Sequence, residues 1–185
     1  MDDFNVLPGL PTSGPMHLSF SETEQGKHRE GFVVEFHPAD GETWVGNFAR
    51  DGFTDFSTAV LHPNGRFVVV VSSGQAYVVD PQRRSVLEMF GGQFQSLFAV
   101  ADLGLLVFQT PFDFLAINAK RRAWKTHRMA IEEFRSVRVE GARLVGEACD
   151  LGDLWVPFEI DLASGKVKGG SPAFKRRWWQ WWIPG

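Results

Sequence analysis

The feature that most restricts the fold of this chain is a pattern of extended segments and tight turns that recurs about every 40 residues. Three segments share an apolar run, an Asp or Asn, a polar turn and a second run: AYVVDPQRRSVLEMF, FLAINAKRRAWKTHR and PFEIDLASGKVKGG. Their Asp or Asn residues, which we call the anchor residues, are Asp80, Asn118 and Asp161, at spacings of 38 and 43 residues. Short Asp and Asn side chains accept hydrogen bonds from backbone N–H groups shortly downstream, so they start turns.

A further pair of extended segments precedes each anchor residue and pivots on a glycine. The three glycines are Gly65, Gly104 and Gly141. Glycine readily adopts the positive φ that a hairpin reversal requires. Each unit is therefore expected to hold four short strands, which is typical of a propeller blade.

The segment HPNGRFVVVVSSGQAYVVD, residues 62–80, resembles β-propeller repeats of the WD40 or TolB type. In those repeats a turn similar to Ser-Pro-Asp-Gly precedes an apolar strand, and the sequence His62-Pro63-Asn64-Gly65 stands at that position. Later units keep the glycine but lack the proline, and no unit has the Trp-Asp dipeptide of WD40 blades. The resemblance covers residues 56–170 and implies a propeller-like fold without implying an activity.

We expect a single all-β domain over residues 1–185, built from antiparallel four-stranded units. It would comprise an extended segment (1–30), a two-stranded partial blade at 31–55 around a second turn, HPADG, three blade-like repeats (56–170) and a Trp-rich tail (171–185). Such a chain could form an open arc, close as a small propeller or complete a ring by dimerising. The alternative is a β-sandwich or barrel, because short strands at this spacing fit those folds too. Residues 129–137, MAIEEFRSV, are the one helix-like stretch.

The composition agrees with a soluble sheet protein. The chain has 17 Phe and 7 Trp but one Tyr, and large flat side chains suit thin sheet cores. A net charge of -3 indicates neither a nucleic acid nor a membrane as partner. The single cysteine, Cys149, and a start without a basic, apolar leader favour a cytoplasmic location.

No motif for catalysis or cofactor binding is present, so we expect a protein that is not an enzyme and needs no cofactor or metal. Cys149 lacks a basic neighbour that would activate its thiol. The five histidines lack metal-ligand spacing, and His37 and His62 are expected to be turn residues that face solvent. Loop carboxylates, at Asp102, Asp113, Asp150 and Asp153, are expected to form turns.

Two basic, Trp-containing segments could bind partners. KRRAWKTHR, residues 120–128, is expected to be a solvated hairpin instead of a nucleic-acid groove, because acidic residues follow it. The tail KRRWWQWW combines cations with indoles, which suits packing on the domain, partner docking or membrane contact. The candidate partner-binding residues are Arg176, Arg177, Trp178, Trp179, Trp181 and Trp182.

The sequence thus favours a non-catalytic, cytoplasmic protein-interaction module whose profile is similar to that of immunity proteins. Its expected partner is another protein or a second copy of the chain, as in a homodimer. The alternative is a small-molecule or carbohydrate binder, or a weak hydrolase, that uses loop carboxylates and a tryptophan platform. Its candidate platforms are Trp44, Trp124 and Trp155. In the segment GDLWVPFEID, alternation predicts that Val156, Phe158 and Ile160 are buried on one strand face, and Pro157 predicts an edge or a bulge.

Overall fold

The computed structural model describes residues 4–14, 16–21 and 29–174. Within these ranges the chain is all-β, with four four-stranded sheets, none of them closed into a barrel. Each sheet is built from strands that are consecutive in the chain, which is the arrangement of propeller-like blades. The described residues include no helix long and apolar enough to cross a membrane.

The four sheets follow one another along the chain. The first sheet, in the strand order β1-β3-β4-β2, comprises β1 (Phe4–Leu7), β2 (Leu18–Phe20), β3 (Phe32–Phe36) and β4 (Trp44–Phe48). The second, β5-β6-β7-β8, comprises β5 (Thr58–Leu61), β6 (Val68–Ser72), β7 (Gln75–Asp80) and β8 (Ser85–Gly91). The third, β12-β11-β10-β9, comprises β9 (Ser96–Val100), β10 (Leu105–Gln109), β11 (Phe114–Ile117) and β12 (Arg122–Lys125). The fourth, β13-β14-β15-β16, comprises β13 (Phe134–Glu140), β14 (Arg143–Asp150), β15 (Leu154–Asp161) and β16 (Val167–Gly169).

The predicted repeat is present in the last three sheets. Their first strands begin at Thr58, Ser96 and Phe134, so that the starts are 38 residues apart. The pivot glycines between the first and second strands all have positive φ: 68° at Gly65 and 57° at both Gly104 and Gly141. No side chain crowds these three positions. Backbone conformation, not packing, therefore explains the need for glycine there.

The anchor residues form the same turn in all three repeats. Each accepts a hydrogen bond at Oδ1 from the backbone N–H three residues downstream, at 3.1 Å for Asp80, 3.0 Å for Asn118 and 2.8 Å for Asp161. Asp80 and Asn118 also accept one from the residue two positions downstream. Short side chains that bond to the backbone in this way hold the link between the third and fourth strands.

The first sheet has four strands where the sequence indicated a partial blade of two. β3 and β4 form the expected hairpin, β1 pairs antiparallel with β3, and β2 pairs parallel with β4. Two strands of three and four residues therefore come from the stretch that we expected to be merely extended. Prolines and glycines lie between these two strands, so the hydrophobic alternation is too short and interrupted to predict them.

The chain divides into two compact units, Met1–Phe108 with Ile117–Arg121, and Gln109–Ala116 with Arg122–Gly185. The prediction of a single domain stays a prediction. One core cluster of the first unit joins eight buried side chains, to which Phe48 and Tyr77 contribute an edge-on ring pair 5.2 Å apart. In the second unit Phe114, Phe134 and Phe158 pack with ring centroids 4.6–5.5 Å apart.

The strand β15 confirms most of the predicted burial and corrects the prediction for its proline. Phe158 and Ile160 are buried, whereas Val156 is only half-buried. β15 is not an edge strand, since it lies between β14 and β16. However, β16 pairs only with residues 158–160, and Pro157 lies one residue beyond that pairing, where its carbonyl accepts a hydrogen bond from Gly170 N at 3.0 Å. The missing proline N–H therefore costs no ladder hydrogen bond.

Residues 129–137, which resemble a helix in sequence, are not helical in the structure. Phe134 begins β13, and the preceding segment pairs with the end of β14, because Ile131 N donates to Cys149 O and Cys149 N donates to Glu133 O, both at 3.0 Å. Tertiary strand pairing overrides a local helical preference in so short a stretch.

Candidate functional site

Phe53 presents a large apolar side chain to solvent, with 81% of its surface exposed. It lies in the loop at residues 49–57 that joins β4 to β5, in the first compact unit. Its flanking residues Arg50 and Asp55 are also exposed. We call residues 52–57 the Phe53 loop.

Backbone hydrogen bonds fix the Phe53 loop on both sides of the phenylalanine. Phe53 N donates to Gly92 O at 2.8 Å, and Thr54 N donates to Ser73 O at 3.1 Å. The Thr54 hydroxyl donates to Phe94 O at 2.6 Å. The loop is therefore tied to the β6–β7 turn and to the link between β8 and β9.

Close backbone approach supports the same conclusion. A Cβ added to Gly52 would lie 1.8 Å from Ser73 O, and one added to Gly74 would lie 2.6 Å from the Thr54 hydroxyl oxygen. Real Cβ atoms cannot approach so closely, so both positions require glycine. Further ties come from Gly74 N, which donates to Phe56 O at 2.9 Å, and from Ser73 N, which donates to the Ser57 hydroxyl at 3.0 Å.

A rigidly held, exposed aromatic side chain is suited to binding a protein. Aromatic residues dominate the energetics of protein interfaces because they bury a large area in a partner's pocket. A side chain whose backbone is already ordered loses less conformational entropy when it binds.

A second exposed apolar feature lies at the turn between β14 and β15, in the second unit. Leu151 is 68% exposed and Leu154 is 63% exposed. Asp153 has a positive φ of 57°, and the buried Asp150 accepts a hydrogen bond from the Ser171 hydroxyl at 2.5 Å. We call residues 150–154 the hairpin tip.

The tail residues that the sequence singled out lie outside the described residues. They are Arg176, Arg177, Trp178, Trp179, Trp181 and Trp182. Their role in partner binding therefore stays a prediction.

The loop carboxylates act in local structure where their contacts are described. Asp113 accepts a hydrogen bond from the Thr110 hydroxyl at 2.9 Å and pairs with Lys125 at 3.0 Å. Asp150 bonds to Ser171, while Asp102 and Asp153 are exposed. In the described part of the chain, no three His, Cys, Asp or Glu side chains converge as a metal site would require.

Two of the three tryptophans proposed as a sugar platform are buried. The Trp44 indole N–H donates to Pro81 O, and that of Trp124 donates to Leu162 O, both at 2.8 Å. Trp155 is half-buried, and the Arg135 guanidinium lies 4.2 Å from its ring centroid. The alternative function, carbohydrate binding, thus loses two of its three expected tryptophan platforms. Because Trp124 is buried, the segment KRRAWKTHR also has no exposed indole on which a nucleic-acid base could stack.

Cys149 and His62 are both buried. Burial raises the pKa of the Cys149 thiol, and the carboxylates of Glu132, Asp153, Glu133 and Asp150 raise it further, so the thiol stays protonated at neutral pH. His62 is a turn residue as predicted, and its imidazole accepts a hydrogen bond from Asn64 N at 3.2 Å. The prediction that it faces solvent is wrong, because the side chain is buried. His37 is only partly buried and lies 3.2 Å from Glu35.

Sequence reasoning missed Phe53 because an isolated Phe in a loop carries no periodicity. The available signal was its setting, RDGFTD, in which a bulky apolar residue stands among turn-forming and charged residues. Such a residue cannot share a strand face with apolar neighbours, which marks it as a candidate for exposure.

No protein-family model matches the sequence, and no curated protein matches it either. Among solved structures, Sqt1 of Saccharomyces cerevisiae is similar, with 13% identity and a TM-score of 0.44 over 80% of this chain and 45% of that one. The extracellular domain of the putative hybrid two component system BT4673 from B. thetaiotaomicron gives 14% identity and a TM-score of 0.48 over 81% of this chain and 23% of that one. The chain thus spans less than half the length of either protein.

Proposed function

We propose that this protein is a non-catalytic interaction module that binds a partner protein through the Phe53 loop. The observation that carries the proposal is the near-complete exposure of Phe53 on a loop whose backbone is hydrogen-bonded at Phe53 and Thr54. Leaving a phenylalanine in water forgoes about 1.5–3 kcal/mol of burial free energy. A partner with an apolar pocket would recover that free energy at little cost in loop ordering.

The more specific form of the proposal is a role like that of immunity proteins, which neutralise a toxin by binding it. A net charge of -3 supports a basic partner, because complementary charge accelerates protein association. The proposal includes a cytoplasmic location for the protein. It also includes a contribution to partner binding from the arginines and tryptophans of the tail.

The test places a photo-crosslinking phenylalanine analogue at position 53 of the full chain, in a lysate of the source organism. The matched control carries the analogue at Leu87, an exposed position in β8. We expect one discrete adduct from position 53 that excess unmodified protein competes away and that excess Phe53→Ala protein does not. Two results would contradict the proposal: equal labelling from positions 53 and 87, or equal competition by the unmodified protein and the Phe53→Ala protein.

A stability measurement separates binding from folding. Because the Phe53 side chain is exposed, Phe53→Ala should change the free energy of unfolding by no more than about 0.5 kcal/mol. A larger loss would mean that Phe53 supports the fold, and its role as a binding residue would lose its basis.

A further inference from the structure

The described chain ends beside the hairpin tip. Ser171 N donates to Met129 O at 2.8 Å, and the Ser171 hydroxyl bonds to Asp150 at 2.5 Å. A 3-10 turn at Pro172–Phe174 follows. Lys175 is four residues from this contact, so the chain can carry it at most about 14 Å from Ser171, and less because of the 3-10 turn. The tail therefore starts within reach of the tip.

The surroundings of the tip carry an excess of negative charge. Glu132 and Glu133 are exposed on the segment whose backbone pairs with Cys149, and Asp153 is exposed in the tip itself. Two cations lie on the neighbouring stretch. The Arg128 guanidinium donates to the carbonyls of Ala130 and Ile131, and that of Arg135 pairs with Glu147 at 2.8 Å. The three exposed carboxylates outnumber these two cations, and Arg135 is already paired.

The tail sequence complements the tip in both charge and apolar character. Lys175, Arg176 and Arg177 come first, and four tryptophans follow within the next five residues. The tip offers carboxylates together with the two leucines, which are more than 60% exposed. An indole covers an exposed leucine well, since aromatic side chains bury a large apolar area.

We propose that residues 175–182 dock in cis on the hairpin tip, with the cations against Glu132, Glu133 and Asp153 and the indoles over Leu151 and Leu154. Exposed ion pairs contribute at most about 1 kcal/mol each, so the charges orient the tail and indole burial holds it. The short tether supplies a local concentration on the order of millimolar, which makes weak contacts sufficient.

This inference does not depend on the binding role proposed for the Phe53 loop, and either can fail without the other. It also restricts the role predicted for the tail tryptophans. A partner that binds them would first have to displace them from the tip.

The test is zero-length carbodiimide coupling of the Lys175 amine to carboxylates in the full chain, followed by peptide mapping. We expect coupling to Glu132, Glu133 or Asp153 within one chain, at a yield that does not change with protein dilution. Arg176→Glu combined with Arg177→Glu leaves Lys175 in place and should lower the yield about tenfold, as a loss of about 1.4 kcal/mol would. Leu151→Ser combined with Leu154→Ser should lower it similarly.

The matched control is Arg121→Glu combined with Arg122→Glu, because Lys120-Arg121-Arg122 repeats the Lys-Arg-Arg sequence at an exposed position. This control should leave the yield unchanged. Coupling only between different chains, no coupling of Lys175 to the tip, or equal yields in all variants would overturn the proposal. Amide exchange at 151–154 gives a second measure, and it should be faster in the Arg176→Glu, Arg177→Glu protein than in the wild type.

Discussion

The indole N–H of Trp124 donates to the backbone carbonyl of Leu162 at 2.8 Å. The same contact joins Trp44 to Pro81, also at 2.8 Å. Both carbonyls belong to the residue that directly follows an anchor residue, and the partners are 38 and 37 residues apart. In each compact unit, therefore, a buried indole ties a strand of one sheet to the anchor turn of the next.

Replacing Trp124 with Phe tests the energetic weight of this tie. Trp124→Phe leaves the carbonyl of the buried Leu162 without its indole donor, which should lower the free energy of unfolding by about 1–3 kcal/mol. Trp155→Phe is the control, since Trp155 is half-buried and stacks on Arg135. Urea unfolding measures both, and equal losses would show that the hydrogen bond has no special weight.

Phe158 tests the core of the second unit. Its ring packs against Phe114 and Phe134 and lies over Gly146, so Phe158→Ala should cost about 3–5 kcal/mol by creating a cavity. Val156→Ala is the matched control, because Val156 is on the same face of β15 but only half-buried. Its loss should be clearly smaller. Thermal or urea melts in which the two variants lose equal stability would mean that this face of β15 is not the core.

His62 should make stability depend on pH. Burial lowers the pKa of its imidazole, against smaller opposing effects of Asn64 and Glu88. In the unfolded chain the His62 imidazole has its ordinary pKa of about 6.5, so as the pH falls it takes up a proton sooner than it does in the folded protein. Proton uptake therefore favours the unfolded state, and the free energy of unfolding should decrease as the pH drops below about 6.5. Protonation at Nδ1 would also end the hydrogen bond from Asn64 N.

The measurement is urea unfolding between pH 7.5 and 5 for the wild type and His62→Asn. The variant should lose part of the wild-type slope between stability and pH. His127→Gln removes an exposed imidazole and controls for the loss of one histidine. If His62→Asn keeps the full slope, the pH dependence arises at other groups.

The repeat was predictable because its turns require particular side chains. Positive φ at Gly65 and side-chain acceptance of backbone N–H groups at Asp80 are local demands that a sequence displays directly. Strands β1 and β2 escaped prediction because three or four residues carry too little alternation, and their pairing with β3 and β4 depends on residues distant in the chain.

The candidate site was less predictable than the fold. The position of the Phe53 loop depends on neighbours that are distant in sequence, such as Gly92, whose carbonyl accepts from Phe53 N. The proposed sugar platform failed for the same reason, since the partners of Trp44 and Trp124 lie about 40 residues downstream. Composition identified tryptophan as important without showing which of its faces would be covered.

The three anchor turns can be compared most directly by amide hydrogen exchange in the native protein. The N–H groups of Arg83, Arg121 and Ser164 each donate to an anchor side chain, so all three should exchange slowly although they lie in surface turns. Of these three amides, Asn118→Ala should accelerate only that of Arg121, together with the Lys120 amide that bonds to the same oxygen, and Asp161→Ala should accelerate only that of Ser164. Fast exchange at two of the three amides in the wild-type protein, or no response to loss of the anchor, would contradict the repeated unit on which the fold rests.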